Sequence, residues 1–222
     1  MNDTTLTLFH GSSEIVDSPR YGFGHVHNDY GQGFYCTEEI ELAREWACTD
    51  ASGSWCNRYS LNMDGLRVLH LESKDYSELQ WLAVLLSNRE VRLISPQMQR
   101  AAQWIVDNYN VDISQYDVIV GYRADDSFFS IARAFVNNSM PLESLSEALR
   151  RGDLGLQVVL KSRKAFEHLK FINAERVDYG IYYPKRNSRS RQASEWFFNK
   201  DYSELSRGTF LSDLIRRDDE SL

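Results

Sequence analysis

The sequence predicts an α+β fold, and three observations carry that expectation. Strand-like and helix-like segments follow one another without a regular strand–helix–strand alternation, which argues against a doubly wound sheet. The composition, 42% hydrophobic and 26% charged, is that of an ordinary globular chain. The length of 222 residues suits one domain, or one domain with a modest appendage, that buries roughly 70% of its unfolded surface without staples.

The elements follow in order. TLTLFHGS alternates apolar and polar residues and reads as a strand ending at His10–Gly11. Residues 17–33 are rich in Gly, Asp and Asn and predict a loop, and Gly33–Cys36 is a short apolar strand. Thr37 reads as a helix N-cap, with Glu38 and Glu39 where the helix dipole favours acids and Ile40, Ala43 and Ala47 at helical spacing. Residues 57–72 read as a hairpin: RYSLNM and LRVLHLE flank the turn dipeptide Asp64–Gly65. Helices are expected at 77–89, 97–109 and 127–138, the second opening on Ser95–Pro96, a cap followed by a first-turn proline. DVIVGYR (117–123) is a buried strand, PLESLSEALRRG (141–152) a helix stopped by Gly152, and LQVVLKS (156–162) a strand followed by a short helix through Leu169.

Residues 1–175 are expected to form the main domain, with 176–222 a helical appendage packed on it. The run KRNSRSR (185–191) is basic with no acid, which fits either a solvated loop or a groove for phosphates.

Charge and cysteine content bound the function. The net charge of −7 argues against broad, sequence-blind adhesion to nucleic acid or anionic membrane. No stretch approaches the roughly 20 apolar residues that span a bilayer, and MNDTTLTLF lacks the features of a signal peptide. Three cysteines fit a reducing compartment, so a cytoplasmic protein is expected. Cys36 and Cys48 read as small buried residues, since no histidine stands where it would lower a thiol pKa.

The common motifs are absent: no phosphate-binding loop, HExxH, CxxC or GxSxG. Gly22-x-Gly24 lacks the third glycine of a dinucleotide fingerprint. His25-x-His27 with Asp29 lacks a third strong metal ligand, so no metal is expected.

What remains is a constellation: His10 ending the first strand, Tyr35 on the next with Trp46 on the following helix, and Gln157 on a late strand. The blocks LFHGS, YGQGFYCTEEIELAREWA, DVIVGYRADDSFF and LGLQVVLKSRKAFEHLKF, across residues 6–172, resemble a bacterial family of ADP-ribosyltransferase-like domains. That family resembles the diphtheria-toxin and poly(ADP-ribose) polymerase class, whose signature is His, Tyr and Glu on three strands. The resemblance implies a split, curved β core with helical insertions. It also implies NAD as co-substrate and transfer of a single ADP-ribose to a protein or nucleic-acid target. Such domains serve as toxins or phage-defence effectors, so an antitoxin partner is implied as well.

The resemblance assigns roles residue by residue. Tyr35 and Trp46 would hold the nicotinamide between aromatic faces, which favour its cationic ring. Gly11 would offer backbone N–H and C=O to the carboxamide, the missing side chain allowing close approach. His10 would hydrogen-bond a ribose hydroxyl, with Ser12 a further contact. Gln157 departs from the usual Glu: it hydrogen-bonds but carries no charge and cannot act as a base. Asp125 and Asp126, after a buried strand, are then the expected source of negative charge, with Asp126 favoured; capping of the helix at 127–138 is the alternative. Gln157 also supports a rival, a non-catalytic NAD- or ADP-ribose-binding or interaction module on a degenerate transferase fold; an NAD glycohydrolase, with water as acceptor, is a third possibility.

Overall fold

The computed structural model describes residues 4–49, 53–124, 126–151, 155–198 and 207–220. Within them the chain is a mixed α and β structure with two separate sheets, as the α+β expectation requires. The first sheet orders β1 (Thr5–Ser12), β3 (Trp55–Asn62) and β7 (Leu169–Arg176) with β3 central, both pairings antiparallel. The second orders β2 (Phe34–Cys36), β6 (Leu156–Leu160), β5 (Val118–Tyr122) and β4 (Val68–His70), of which only the β4–β5 pair is parallel.

Strand alternation explains how the sheets stack. Residues two apart share a face. Val118, Val120, Val158 and Leu160 therefore meet Leu8, Tyr59 and Leu61 of the first sheet in one buried cluster. Ile119 and Val159 point the other way, into a larger helical core. That core is built by α2 (Glu78–Asn88), α3 (Pro96–Tyr109), α4 (Asp126–Val136) and α5 (Leu142–Arg151), closed by Leu211 at the start of α8 (Leu211–Asp219). α2 starts where its sequence dictates: Ser77 accepts the Gln80 N–H while the Gln80 side chain accepts the Ser77 N–H. Ser95 caps α3 ahead of Pro96, as expected. α6 (Arg163–Glu167) is a single short turn before β7.

Two expectations are corrected. The 57–72 segment is no hairpin. Asp64–Gly65 does turn, with Gly65 at φ 70°, but the turn carries the chain from one sheet to the other. Both edges of β3 are already taken by β1 and β7, so β4 must find its partner in β5. Thr37 does not cap α1 (Ile40–Ala47): it exchanges backbone bonds with Phe9 at 2.8 and 2.9 Å, and Glu39 holds the cap position. β7 had no counterpart in the sequence reading. The basic run 185–191 is helical, within α7 (Tyr179–Phe198), because it docks on the acidic side of α1. Lys185 meets Glu41 at 3.1 Å and Arg189 meets Glu45 at 2.8 Å.

No helix among the described residues is long and apolar enough to cross a membrane.

Candidate functional site

The Phe9–Thr37 bridge joins the two sheets at the point where β1 and β2 splay apart, and a cleft of about 310 Å³ opens beside it. Tyr35 from β2, Trp46 from α1 and Gln157 from β6 all line this cleft. Trp46 carries the Arg123 guanidinium over its ring at 5.3 Å, and its indole N–H has no acceptor among the described residues. Tyr35 is held by its hydroxyl, which donates to Gly31 O at 2.6 Å and accepts the Tyr30 N–H at 3.0 Å. The phenol is thus a clasp on the 30–35 loop, and burial pushes its pKa up.

His10 sits on the other side of Tyr35. Its Nδ1 lies 2.7 Å from Tyr35 O, so Nδ1–H donates and Nε2 is left as an acceptor. Burial lowers its pKa, which keeps the ring neutral at pH 7. The ring packs against Phe34, tilted by 36° with centroids 4.5 Å apart, and lines a second cavity of about 560 Å³, which meets the first at Asn28 and Tyr35. The residues expected in one pocket therefore occupy two adjoining cavities.

Gly11 has two distinct features. Phe9 N–H and C=O bond Thr37, so strand alternation turns the Gly11 N–H and C=O, two residues on, to the same edge. Its missing side chain serves α1 instead of a ligand: a Cβ there would stand 2.0 Å from Ala43 O. Ser12 does line the His10 cavity, but its hydroxyl is already engaged, donating to Glu14 O at 2.5 Å and accepting from Asn57 Nδ2 at 3.1 Å.

Asp125 lies outside the described residues. Asp126 is the first residue of α4, one position inside the N-cap, and its side chain is also outside the described set. The carboxylate that does meet Gln157 is Asp29. Its Oδ2 accepts from Gln157 Nε2 at 2.7 Å and from the Ala124 N–H at 2.9 Å. Gln157 Nε2 also reaches Tyr122 O at 3.3 Å. Asp29 is 5% exposed, and burial raises its pKa against the opposing pull of the Ala124 N–H, Gln157, Arg89 and Arg123. His27 Nε2 lies 3.3 Å from the exposed Glu90. Among the described residues no group of three or more His, Cys, Asp or Glu is placed to share a metal ion. Cys36, Cys48 and Cys56 are buried and free, and burial raises the Cys36 and Cys56 thiols.

Of the cations that line the cleft, Arg186 and Arg189 belong to the basic run and Arg123 to the GYRADDSFF block, while Arg89 had no place in the sequence reading. Arg89, Arg123, Arg186 and Arg189 line the cleft against the carboxylates of Asp29 and Glu45, giving it a positive balance within a chain of net charge −7. Arg189 grips Glu45 with two bonds of 2.8 and 2.9 Å, and Arg186 donates to Cys48 O at 2.7 Å. Of the basic run, Arg186 and Arg189 face the cleft, while Lys185 pairs with the exposed Glu41. Asp29 and Tyr30 were hidden because a Gly- and Asn-rich loop reads as solvated. Here the loop is pulled inward: Tyr30 donates to Tyr122 O at 2.7 Å, accepts from Trp81 Nε1 at 2.8 Å, and lies over Gly121, where a Cβ would clash with its hydroxyl.

Lys161 clamps the same loop through Tyr30 O and Gln32 O at 2.5 and 2.6 Å. Burial lowers its pKa from 10.5 to about 8. Between these values the unfolded chain binds more protons than the folded one, so stability rises with pH across that window. Urea melts from pH 7.5 to 10.5 are expected to show a steeper upward slope for wild type than for Lys161→Met. Identical slopes would remove the lysine from the account.

One family model, described as "Protein of unknown function (DUF3990)", matches residues 6–171. The match covers the whole second sheet, β3, nearly all of β1 and only the start of β7, and every cleft residue except Arg186 and Arg189, which lie beyond it. No curated protein and no solved structure matches the chain.

Proposed function

We propose that this chain, which belongs to the DUF3990 family, transfers a single ADP-ribose from NAD⁺ to a macromolecule and releases nicotinamide. The observation that carries the reading is the convergence of Tyr35, Trp46 and Gln157 with four arginines in one cleft beside His10 and the outward edge of Gly11. Residues from six separate segments meet there. Their chemistry matches the parts of NAD⁺: aromatic faces for a cationic ring, guanidinium groups for a pyrophosphate, and a neutral imidazole nitrogen for a ribose hydroxyl. The sequence resemblance to ADP-ribosyltransferase-like domains supports the same assignment, including a split β core.

In this reading Tyr35 and Trp46 orient the nicotinamide ring, and the Gly11 N–H and C=O take its carboxamide. Nε2 of His10 accepts from a ribose hydroxyl. Nε2 of Gln157 is committed to Asp29 and Tyr122, so Oε1 is the atom left to accept from a hydroxyl of the reacting ribose. An amide cannot take the proton that chain elongation requires, so mono-ADP-ribose is the product.

Tyr35→Ala is expected to weaken NAD⁺ binding by about 3- to 10-fold relative to Tyr35→Phe, as befits an aromatic contact worth roughly 0.5–1.5 kcal/mol. Tyr35→Phe gives up the hydroxyl clasp and loses stability but keeps the ring. Calorimetric titrations giving wild type and Tyr35→Ala the same affinity would exclude stacking.

The deciding experiment is incubation with labelled NAD⁺ and total lysate, followed by separate protease and nuclease digestion of the labelled material. Label lost to one enzyme identifies a protein or a nucleic-acid target. Nicotinamide released equally without lysate makes water the acceptor, and NAD⁺ bound without release makes the domain a binding module.

A further inference from the structure

Gln157 leaves the proposed reaction short of a negative charge, and the cleft wall holds one directly behind it. Asp29 Oδ2 receives two donors, Gln157 Nε2 at 2.7 Å and Ala124 N–H at 2.9 Å. Its Oδ1 is buried, accepts no hydrogen bond among the described residues, and has Arg89 Nε at 3.6 Å. Its three contacts among the described residues, Gln157 Nε2, the Ala124 N–H and Arg89, are donors or a cation, so the ionised carboxylate is the form that fits them. A purely structural knot would be served by an uncharged acceptor. A buried carboxylate with one orphaned oxygen is costly to keep and needs another explanation.

We infer that Asp29 and Gln157 together replace the single glutamate of a His–Tyr–Glu transferase: Gln157 supplies the acceptor atom, and Asp29 supplies the charge while fixing the amide's orientation. This inference rests on the function proposed above. Asp29 is a positioning and electrostatic residue that acts through Gln157. Because Nε2 is held at Asp29 and Tyr122, Oε1 faces the ligand in the manner of a carboxylate oxygen. The bond between ribose C1′ and the nicotinamide nitrogen breaks, and its electron pair returns to the ring nitrogen, which loses its positive charge. The ribose becomes oxocarbenium-like, and the field of Asp29, relayed by the polarised amide, stabilises that cation more than the ground state. The acceptor group then bonds to C1′ and releases its proton to bulk water.

The test uses full-length protein, with NAD⁺ affinity by calorimetry, and kcat and KM from nicotinamide release in the presence of lysate. Asp29→Asn preserves an acceptor for Gln157 and Ala124 but removes the charge. It is expected to cut kcat by about 10²-fold while NAD⁺ affinity stays within about twofold. Interchanging the two groups, Asp29→Asn with Gln157→Glu, restores one carboxylate and one amide to the pair and is expected to raise kcat at least about tenfold above Asp29→Asn alone. A merely structural role predicts no such rescue. If Asp29→Asn melts far below wild type, Gln157→Met, which leaves Asp29 and its Ala124 bond in place, decides instead: a tenfold or larger fall in kcat supports the pair, and wild-type kcat overturns it. The inference is also overturned by wild-type kcat in a folded Asp29→Asn, or by an interchange no faster than the single variant. Wild-type protein that binds no NAD⁺ overturns the parent reading and this one with it, an outcome distinct from failure of the pair alone.

Discussion

Gly11→Ala is expected to lower stability by about 3 kcal/mol or more, because the added methyl meets backbone instead of a yielding side chain. A Cβ at this position stands 2.0 Å from Ala43 O and 2.5 Å from Ala47 N. Neither atom has room to retreat, since Ala43 and Ala47 are fully buried between α1 and the first sheet. The helix must therefore lift as a body. Trp46 and Glu45 ride on that helix, so the cleft deforms together with the core. For a chain of this size the fall corresponds to roughly 6–12 °C in melting temperature. NAD⁺ affinity should drop with it. Thermal melts that place Gly11→Ala within about 2 °C of wild type would show that α1 yields at little cost.

Asn57→Ala is expected to cost about 2–3 kcal/mol and to weaken ligand binding on the His10 side. Asn57 is fully buried on β3. Its Nδ2 lies within reach of His10 O, Ser12 Oγ and Glu14 O at 3.3, 3.1 and 3.2 Å, and its Oδ1 accepts the Val16 N–H at 2.9 Å. One side chain thus ties down the segment that walls the His10 cavity. Alanine leaves a void and strands the Val16 donor, although water can reach the more exposed Glu14 carbonyl. Denaturant melts should show the stability loss, and amide hydrogen exchange should show faster exchange confined first to residues 13–17. Unchanged protection of Val16 would mean that the segment is held from elsewhere.

Much of the fold was legible because its signals are local. A cap and proline at Ser95–Pro96 and the short apolar runs in VIVGY and LQVVL each act within a few residues, and the elements appear where these place them. The turn at Asp64–Gly65 was legible too, while the pairing of the strands around it was not. A turn determines the direction of the chain locally, but strand pairing depends on which edges are free, and β3 had none left. β7 failed for a related reason: Leu169–Arg176 alternates weakly and becomes a strand only because β3 offers it an edge.

The candidate site divides along the same line. The sequence by itself determined which chemistry-bearing residues lie on strands or on α1: His10, Gly11, Tyr35, Trp46 and Gln157, each in a short block with its own periodicity. Only the tertiary structure decided what surrounds them. The Asp29 carboxylate comes from a loop whose composition reads as solvated, yet Tyr30 beside it is anchored 92 residues away at Tyr122 and drags the acid under Gln157. Arg186 and Arg189 reach the cleft because Glu41 and Glu45, about one helical turn apart on α1, give the basic helix a complementary face. Burial and charge pairing across more than a hundred residues depend on the whole packed chain, and no local window of sequence contains them.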